Sequence, residues 1–367
     1  MPSSGMDDDR RRAELRLERV KASAQFADGR FHNPGGAGLP RQGPGFRVIA
    51  DFLFKRGRRT PGAPLPVDRP HEVWARPIDT GLRTTWLGHS SVLLEIDGRR
   101  VLTDPVFGDR VSPISFLGPR RFHPVPAGVA ELPPLDAVLI SHDHYDHLCH
   151  ETIAALAKLR VPIVTSLGVG AHLERFGVAP ESITELDWHA HAEIGGVRFT
   201  ATPAQHFSGR APGQRDRTLW SSWVIHGERH KVFFSGDTGL TPVFEEIGRA
   251  HGPFDLVMLE VGAFHPAWAT IHLGPENALT VFDLLGGGTL LPVHWGTFSL
   301  ALHDWDEPAE TLLALATARG RRILTPRLGA PFEPAQIDGP TPWWRGVGER
   351  DHSPREASAA SPSKLAQ

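Results

Sequence analysis

Cysteine is nearly absent from this sequence of 367 residues, which contains Cys149 and no other. A single cysteine cannot form an intramolecular disulfide, and it excludes a zinc site built from several thiolates. Long apolar runs are also missing, and no stretch approaches the roughly 18 residues that a membrane-spanning helix needs. Residues 1–20 lack both the apolar core and the small-residue cleavage site of a secretory signal. We therefore expect a cytoplasmic protein, with peripheral contact at a membrane as the alternative.

The chain also lacks a strong charge of either sign, because 39 basic side chains oppose 42 acidic ones and leave a formal net charge of −3. A dedicated nucleic-acid-binding protein would carry a strong positive balance, so a nucleic-acid partner is not expected. A GxSxG motif is missing as well, which argues against a serine nucleophile. Histidine, in contrast, occurs 20 times, and such a number either decorates a surface or binds metal.

The composition predicts three regions along the chain. Residues 1–45 form a polar N-terminal extension, partly disordered, in which three aspartates at 7–9 directly precede three arginines at 10–12. Residues 46–345 carry the apolar, periodic sequence of one domain. Residues 346–367 are rich in serine, alanine and proline, and they are predicted to form a disordered C-terminal tail.

The segment at 46–59, FRVIADFLFKRGRR, places apolar side chains next to a cluster of cations. Such a segment can lie in a membrane interface, with its apolar side chains among the lipids and its cations at the headgroups. A short helix packed on the body of the protein gives the same pattern. We favour the packed helix and keep peripheral membrane contact through 46–59 as the alternative.

Short β-type runs dominate the first half of the domain. Three of them lie between residues 82 and 107, and Asp97-Gly98 between the second and third is a strong hairpin signal. A strand at 135–142, a helix at 151–159 and a strand at 161–166 then read as a β-α-β unit. The second half repeats this scheme, with strands at 197–204, 221–227, 231–237, 254–261 and 289–294 and helices at 275–285 and 308–318. Two β-rich halves, each closed by helices, predict a four-layer α/β sandwich with one core.

The strand at 135–142 runs directly into His142, His144, Asp146 and His147, which are four potential metal ligands in six residues. Clustered histidines repel one another when protonated and are costly to bury without partners, so a purely structural role is disfavoured. His142 and His144 project to the same side of an extended chain because side chains alternate along a strand. Asp146 and His147 follow a turn and can face a second point nearby. This cluster predicts a metal site.

Three further candidates follow other strands at the positions where α/β proteins build their sites. They are His206, Asp237 and His294. Each would be a weak signal alone, but together they supply the ligands that a pair of metal ions would need. Imidazole and carboxylate ligands suit zinc, and also manganese or iron.

The sequence resembles the metallo-β-lactamase superfamily, whose HxHxDH motif and later His, Asp and His residues build a two-metal site. The resemblance spans about 82–324 and is greatest to the branch that contains N-acylphosphatidylethanolamine-hydrolysing phospholipase D. The segments that carry it are TTWLGHSSVLLEIDGRRVLTDPVF, SPISFLGPRRFHPVP, ELPPLDAVLISHDHYDHL, TPAQHFSGR, SGDTG and PVHWGTF.

The resemblance implies a four-layer αββα sandwich, in which two mixed β-sheets are flanked by helices and the active site lies at the sheet edge. It also implies two Zn²⁺ ions, with Mn²⁺ or Fe as alternatives. One ion would be held by His142, His144 and His206, the other by Asp146, His147 and His294, and Asp237 would bridge them.

Further roles follow from the same resemblance. Catalytic roles are implied for Asp146 and Asp237, either of which could orient the hydroxide proton. His272 is a candidate general acid or phosphate-binding group, with a structural role beside the ligands as the alternative.

Asp104 is expected to orient a metal-bound histidine. His89 is either a further residue behind the ligands or an ordinary loop histidine. The chain departs from the phospholipase branch at Glu260 and His265, near the presumed substrate opening.

The implied function is that of a zinc-dependent hydrolase that uses a metal-bridging hydroxide to cleave a phosphodiester bond, with an N-acylphosphatidylethanolamine-type phospholipid as a candidate substrate. The alternative is a lactonase or esterase of the same fold acting on a small molecule. An iron-dependent oxidoreductase is disfavoured, because oxygen-reducing relatives typically carry a carboxylate where this chain has His144. The sequence makes no prediction of the oligomeric state.

Overall fold

The computed structural model describes residues 3–36, 57–114, 116–265 and 270–347. The predicted interface segment at 46–59 lies outside the described residues except for 57–59, and the predicted tail at 346–367 lies outside them except for 346–347. The expected division of the chain at residues 45 and 345 therefore stays a prediction. Within the described ranges, no helix combines the length and the apolar character that crossing a bilayer requires.

The N-terminal region begins with a long polar helix, α1 (Ser3–Ala22), followed by a two-stranded hairpin of β1 (Phe26–Ala27) and β2 (Arg30–Phe31). The helix is tied to the body of the protein by Arg16, whose guanidinium lies 2.7 Å from both Glu174 and Glu185. Val20 and Phe31 are buried in a small apolar cluster with Trp220. This region therefore packs against the domain that follows it.

The first of two large sheets has seven strands in the order β15-β3-β4-β5-β6-β7-β8. Its pairs are antiparallel from β15 to β5 and parallel from β5 to β8, so the sheet is mixed. The strands are β3 (Leu82–Gly88), β4 (Ser91–Ile96), β5 (Arg99–Thr103), β6 (Ala137–Ile140), β7 (Ile163–Ser166), β8 (Ile183–Leu186) and β15 (Pro331–Phe332).

The second sheet has six strands in the order β14-β13-β12-β11-β10-β9 and is also mixed, with parallel pairs between β12 and β14. Its strands are β9 (His191–Ile194), β10 (Val197–Thr202), β11 (Ser222–His226), β12 (Lys231–Phe234), β13 (Leu256–Glu260) and β14 (Leu290–Val293). The remaining helices are α2 (His71–Trp74), α3 (His150–Ala157), α4 (Gly170–Arg175), α5 (Val243–His251), α6 (Gly274–Leu284) and α7 (Glu307–Ala318).

Alternating side chains along the strands build the layers. In β4, Val92 and Leu94 join the large core between the sheets, where they share a cluster with Phe199 of β10. Leu93 lies on the opposite face and packs in a second cluster with Ile153 of α3. Because neighbouring side chains in a strand point to opposite faces, one strand contributes to two apolar layers. The predicted sandwich of two mixed sheets flanked by helices is confirmed.

The structure also differs from the sequence prediction at strand ends. The strand expected at 99–107 stops at Thr103, because Asp104 takes a left-handed backbone conformation with φ 32°. Strands β8 and β9 and helices α4 and α5 were not predicted, since each is at most nine residues long and β9 alternates only between half-exposed and exposed positions.

Candidate metal centre

Strand ends from both sheets deliver the candidate ligands to one place. His142 and His144 follow β6, Asp237 follows β12 and His294 follows β14, while His206 lies in the loop after β10. All seven predicted ligands are within two clusters whose ligand atoms lie close together. The site therefore forms at the edge where the two sheets meet.

The first cluster consists of His142, His144, His206 and Asp237, whose ligand atoms all lie within 4.8 Å of one another. His144 Nδ1 is 2.9 Å from His142 Nε2 and 3.2 Å from His206 Nε2. One proton on His144 Nδ1 cannot form full hydrogen bonds to both of the other imidazole nitrogens at the same time. The three nitrogens surround a point that a cation can occupy.

The second cluster consists of His89, Asp146, His147 and His294, again within 4.8 Å. Asp237 connects the two clusters. Its Oδ1 lies 3.1 Å from His147 Nε2 and 3.2 Å from His294 Nε2, whereas its Oδ2 faces His206 Nε2 at 3.7 Å. One carboxylate thus presents one oxygen to each cluster, which is the arrangement of a ligand shared by two cations.

The donor atoms at the junction fit a bound cation. Among the described residues, His147 Nε2, Asp237 Oδ1 and His294 Nε2 are buried, and the two nitrogens lie 3.1 Å and 3.2 Å from Oδ1, yet neither of these contacts has the geometry of a hydrogen bond. Leaving such a buried polar atom without a partner costs about 1–3 kcal/mol, and the cost is larger for charged groups. A divalent cation would contact all three atoms at once, so this donor set suits a metal of the zinc, manganese or iron type.

The electrostatics of the two clusters differ. Burial and the neighbouring imidazoles of His147 and His144 hold the pKa of His142 well below its usual value, so this ring is neutral and ready to bind metal. Burial also lowers the pKa of His294, but Asp237 and Asp146 outweigh it and raise the pKa to about 10. The pKa of His147 is raised well above its usual value for the same reason. A cation in the second cluster must therefore displace protons, and its binding weakens as the pH falls.

Backbone strain is concentrated at the site. His89, Asp104 and His294 all have positive φ angles, of 52°, 32° and 64°. Such conformations are uncommon outside glycine and persist where the surrounding structure fixes them. Position 236, directly before Asp237, requires glycine for two reasons. Its φ of 53° is left-handed, and a Cβ there would lie only 2.7 Å from the Ser141 Cβ.

Asp104 holds His147 from behind, as the sequence predicts for this residue. Its Oδ2 accepts from His147 Nδ1 at 2.7 Å and from the Ser141 hydroxyl at 2.6 Å, and its Oδ1 accepts from the Ser141 amide at 2.7 Å. The bond to Nδ1 leaves Nε2 of His147 facing the cluster. Ser141, which sequence analysis did not single out, thus supports the motif that follows it.

Replacing Asp104 with asparagine is expected to weaken metal binding in the second cluster by about 10–100-fold, because a neutral amide polarises His147 less than a carboxylate does. The measurement is a metal titration against a competing chelator. Asp136→Asn is the matched control, since Asp136 caps the Arg100 amide at the opposite end of β6. Equal affinities in the two variants would contradict the role given to Asp104.

The N-terminal region contributes to the first cluster through Asn33. Its side chain accepts from the His206 amide at 2.8 Å and donates to the His206 carbonyl at 2.9 Å, and both residues are buried. His206 Nδ1 donates to the Ile271 carbonyl at 2.9 Å. The backbone and ring of this ligand are therefore fixed from two directions. Nothing in the local sequence indicates this role, because Asn33 is 173 residues away from His206.

Replacing Asn33 with alanine is expected to lower the free energy of unfolding by about 1–3 kcal/mol, since it leaves a buried N–H and a buried C=O without partners. Chemical denaturation checks this value, and metal titration should show weaker binding in the first cluster. His32→Ala is the control, because His32 is exposed. An Asn33→Ala protein as stable as the control would refute the contact.

Glu260 and His272 form a buried pair beside Asp237. Glu260 Oε2 accepts from His272 Nδ1 at 3.0 Å, while Oε1 accepts from the amides of Thr238 and Leu273 at 3.1 Å and 3.0 Å. Burial lowers the pKa of His272, but the Glu260 carboxylate outweighs it, so the pKa is raised. In the sequence, Glu260 is notable only as a departure near the presumed opening, whereas its carboxylate is fully buried in the structure.

Three further residues lie near the ligands. His89 Nε2 is 3.1 Å from Asp146 Oδ2, so His89 contacts a ligand directly. Tyr145 donates its hydroxyl to the Arg210 carbonyl at 2.7 Å. Cys149 is buried in an apolar cluster with Val106.

Comparisons with known proteins agree with this geometry. A model described as the β-lactamase superfamily domain matches residues 99–295. An uncharacterised protein of Mycobacterium tuberculosis is 46% identical over 81% of this chain and 80% of its own length. The N-acyl-phosphatidylethanolamine-hydrolyzing phospholipase D 1 of Caenorhabditis elegans is 36% identical over 66% of this chain and 71% of its own length. The solved structure of Igni18, a metallo hydrolase from Ignicoccus hospitalis, matches 69% of this chain and 98% of its own with a TM-score of 0.53 and 21% identity.

The two sheets and the paired clusters define the class, which is a metallo-β-lactamase fold with the ligand set of a metal-dependent hydrolase. The chain belongs to the β-lactamase superfamily. The resemblance drawn from the sequence motifs is thereby confirmed.

Proposed function

We propose that this protein is a binuclear metal-dependent hydrolase that cleaves a phosphodiester bond, and that N-acylphosphatidylethanolamine-type phospholipids are the substrate class to test first. The observation that carries the binuclear chemistry is Asp237, which presents one oxygen to each ligand cluster. The substrate class is supported by the name and the 36% identity of the worm phospholipase. Two zinc ions are the proposed cofactors, with manganese or iron as alternatives.

When bound, two cations would supply positive charge to polarise a phosphoryl or carbonyl oxygen and would lower the pKa of water toward about 7. The residues of this chain provide the geometry for that chemistry. His89 contacts Asp146 through the Oδ2 atom that also faces the cluster, and Asp104 fixes His147 from behind, so both ligands are held in a defined orientation. A rigid arrangement of this kind reduces the reorganisation that the reaction requires.

His272 is the proposed proton donor or phosphate-binding group. Its Nδ1 is held by Glu260, whose carboxylate raises the pKa of the imidazole and so favours the protonated ring. A protonated ring beside Asp237 can donate to a departing alkoxide oxygen or bind an anionic phosphoryl oxygen. The two roles differ in how strongly they depend on the leaving group.

Replacing His272 with glutamine is expected to lower kcat about 10²-fold for a phosphodiester with an alkyl leaving group, because the alkoxide then departs without a proton. The loss should be much smaller for an aryl phosphodiester, whose phenolate leaves without assistance. Steady-state kinetics on both substrates, with metal content measured in parallel, check this expectation. An equal loss on both substrates would rule out proton donation and leave phosphate binding.

A substrate panel tests the proposed function as a whole. Zinc-loaded protein is assayed on a bis-aryl phosphate, a lactone and an N-acylphosphatidylethanolamine in mixed micelles. Hydrolysis of both phosphodiesters, with release of phosphatidic acid from the lipid, is the expected result. Hydrolysis of the lactone alone would replace the proposal with the lactonase or esterase alternative.

A further inference from the structure

A short hairpin follows β5 and packs beside the loop that carries the metal ligands. It is formed by residues 109–114 and 116–121, and we refer to it as the rim hairpin. Arg110 and Arg120 pair as an antiparallel bridge, and the Arg121 amide donates to the Asp109 carbonyl at 2.8 Å. Arg110 Nη1 also donates to the Gly118 carbonyl at 2.6 Å. These hydrogen bonds join the two strands of the rim hairpin and define its conformation.

The tip of the rim hairpin presents large apolar side chains to solvent. Phe116 is 74% exposed, Leu117 53% and Ile114 42%, and Phe116 is the most exposed large apolar side chain in the described part of the chain. Scattered single apolar residues are ordinary on a protein surface, but a group concentrated at one protruding tip marks an interaction site. The Leu117 amide donates to the Ile114 carbonyl at 3.1 Å, which holds the tip in a turn.

Two cations lie at the base of this apolar tip. Of the three arginines in 109–121, Arg121 is buried against the Val106 and Gly108 carbonyls, so Arg110 and Arg120 carry the positive charge near the surface. Arg120 is 68% exposed and pairs with the one carboxylate, that of Asp109, at 2.9 Å. With Arg110 and Arg120 opposed by Asp109, the base of the hairpin keeps a surplus of one positive charge behind the apolar end. In an anionic bilayer, the apolar tip would lie among the acyl chains. The arginines behind it would lie at the level of the negatively charged headgroups.

The rim hairpin adjoins the metal-ligand loop. Val111 on its inner side packs in the apolar cluster of Cys149 and Phe298, against which Tyr145 of the HxHxDH motif also packs. The Phe298 ring lies 5.3 Å from the ring of His89. A cavity of about 230 Å³ lies between the hairpin and this loop, lined by Arg110, Ser112, Tyr145, His150 and Arg210 among others. A surface that received the tip would therefore lie beside the loop that carries the metal ligands.

We propose that the rim hairpin inserts its apolar tip into the interface of an anionic phospholipid bilayer and so docks the metal centre on the membrane. This inference rests on the proposed function insofar as the docked surface would deliver the substrate. It concerns a different segment from 46–59, and it follows from exposure, charge and position in the described residues. Docking would let a phospholipid headgroup reach the ligands while the acyl chains stay in the bilayer.

The test compares the unaltered protein with a Phe116→Ser/Leu117→Ser double variant on vesicles of equimolar phosphatidylcholine and phosphatidylglycerol. Removing two apolar anchors is expected to lower the vesicle partition coefficient about tenfold or more. Pure phosphatidylcholine vesicles should bind the unaltered protein more weakly, because the arginines then lack an anionic surface. Cosedimentation measures both effects.

Leu159→Ser is the matched control. Leu159 is 54% exposed, nearly the same as Leu117, but it lies beyond the C-terminal end of α3, whereas the ligand motif precedes the N-terminal end of that helix. Its substitution should leave vesicle binding as it is. A second measurement locates the contact directly. Phe116→Cys labelled with an environment-sensitive dye should shift to shorter emission wavelength on vesicles. The unaltered protein is carried through the same labelling as a control, because Cys149 is buried but lines the neighbouring cavity.

The outcomes separate this inference from the proposed function. Vesicle binding that the double variant retains, or an unshifted label at position 116, would overturn the docking role even if phosphodiesters are hydrolysed. Vesicle binding that is lost in the double variant and kept in Leu159→Ser supports docking, even if the protein hydrolyses no phosphodiester in the substrate panel. If both ideas hold, the ratio of turnover on vesicle lipid to turnover on a water-soluble bis-aryl phosphate should fall about tenfold in the double variant.

Discussion

Replacing Asp237 with alanine is expected to remove both metal ions and to lower the hydrolytic rate about a thousandfold or more. The carboxylate presents one oxygen to His147 and His294 and the other to His206, so one substitution removes a ligand from each cluster. It also removes the negative charge that balances these rings. Oδ1 faces the buried His147 and His294, and Oδ2 faces His206. Cations in the two clusters would therefore both lose the same anionic ligand.

Metal analysis after gel filtration, together with kcat on an aryl phosphodiester, measures this effect. Asp338→Ala serves as the control, because Asp338 is an exposed aspartate outside both clusters. The control should retain the metal content and the rate of the unaltered protein. An Asp237→Ala protein that still held both metals would show that the carboxylate does not connect the clusters.

Replacing Glu260 with alanine should give the second large effect, on stability as well as on rate. The fully buried carboxylate accepts three hydrogen bonds, from the amides of Thr238 and Leu273 and from His272 Nδ1. Each donor left without a partner costs about 1–3 kcal/mol, so we expect the free energy of unfolding to fall by about 3 kcal/mol or more. His272 would lose its orientation at the same time.

Glu260→Gln separates the two consequences. The glutamine oxygen can still accept from Thr238 and Leu273, so most of the stability should return. Its amide replaces the negative charge next to His272, so the pKa of His272 should fall. His272 would then lose its proton at a lower pH. The alkaline limb of the profile of kcat against pH should therefore move to lower pH. A glutamine variant as unstable as the alanine variant, with an unmoved pH profile, would contradict this division of roles.

The sequence predicts which ligand candidates the fold brings together, because the signals at the centre of the site are local. The HxHxDH motif places four ligands within six residues directly after a buried strand, and the structure brings them together. His206, Asp237 and His294 were found because they follow strands, and strand ends meet at one edge of a sandwich. Fold class follows from the same alternation of short strands and helices.

The supporting contacts were beyond sequence reasoning for a physical reason. Asn33 belongs to a polar region that composition assigns to an extension, and its contact with His206 joins residues far apart in the chain. Glu260 is a carboxylate at the end of a buried strand, and only the fold reveals that three donors converge on it. The exposure of Phe116 is likewise a property of the folded surface, since an apolar residue in a sequence is first expected to be buried.

The most direct test of a binuclear hydrolase is the metal content of protein purified without added metal, measured on the same sample as phosphodiester hydrolysis. We expect about two divalent cations per chain, most of them zinc, with activity that a chelator removes and zinc restores. A single iron per chain, or a fully metal-loaded protein that leaves every phosphodiester intact, would contradict the account.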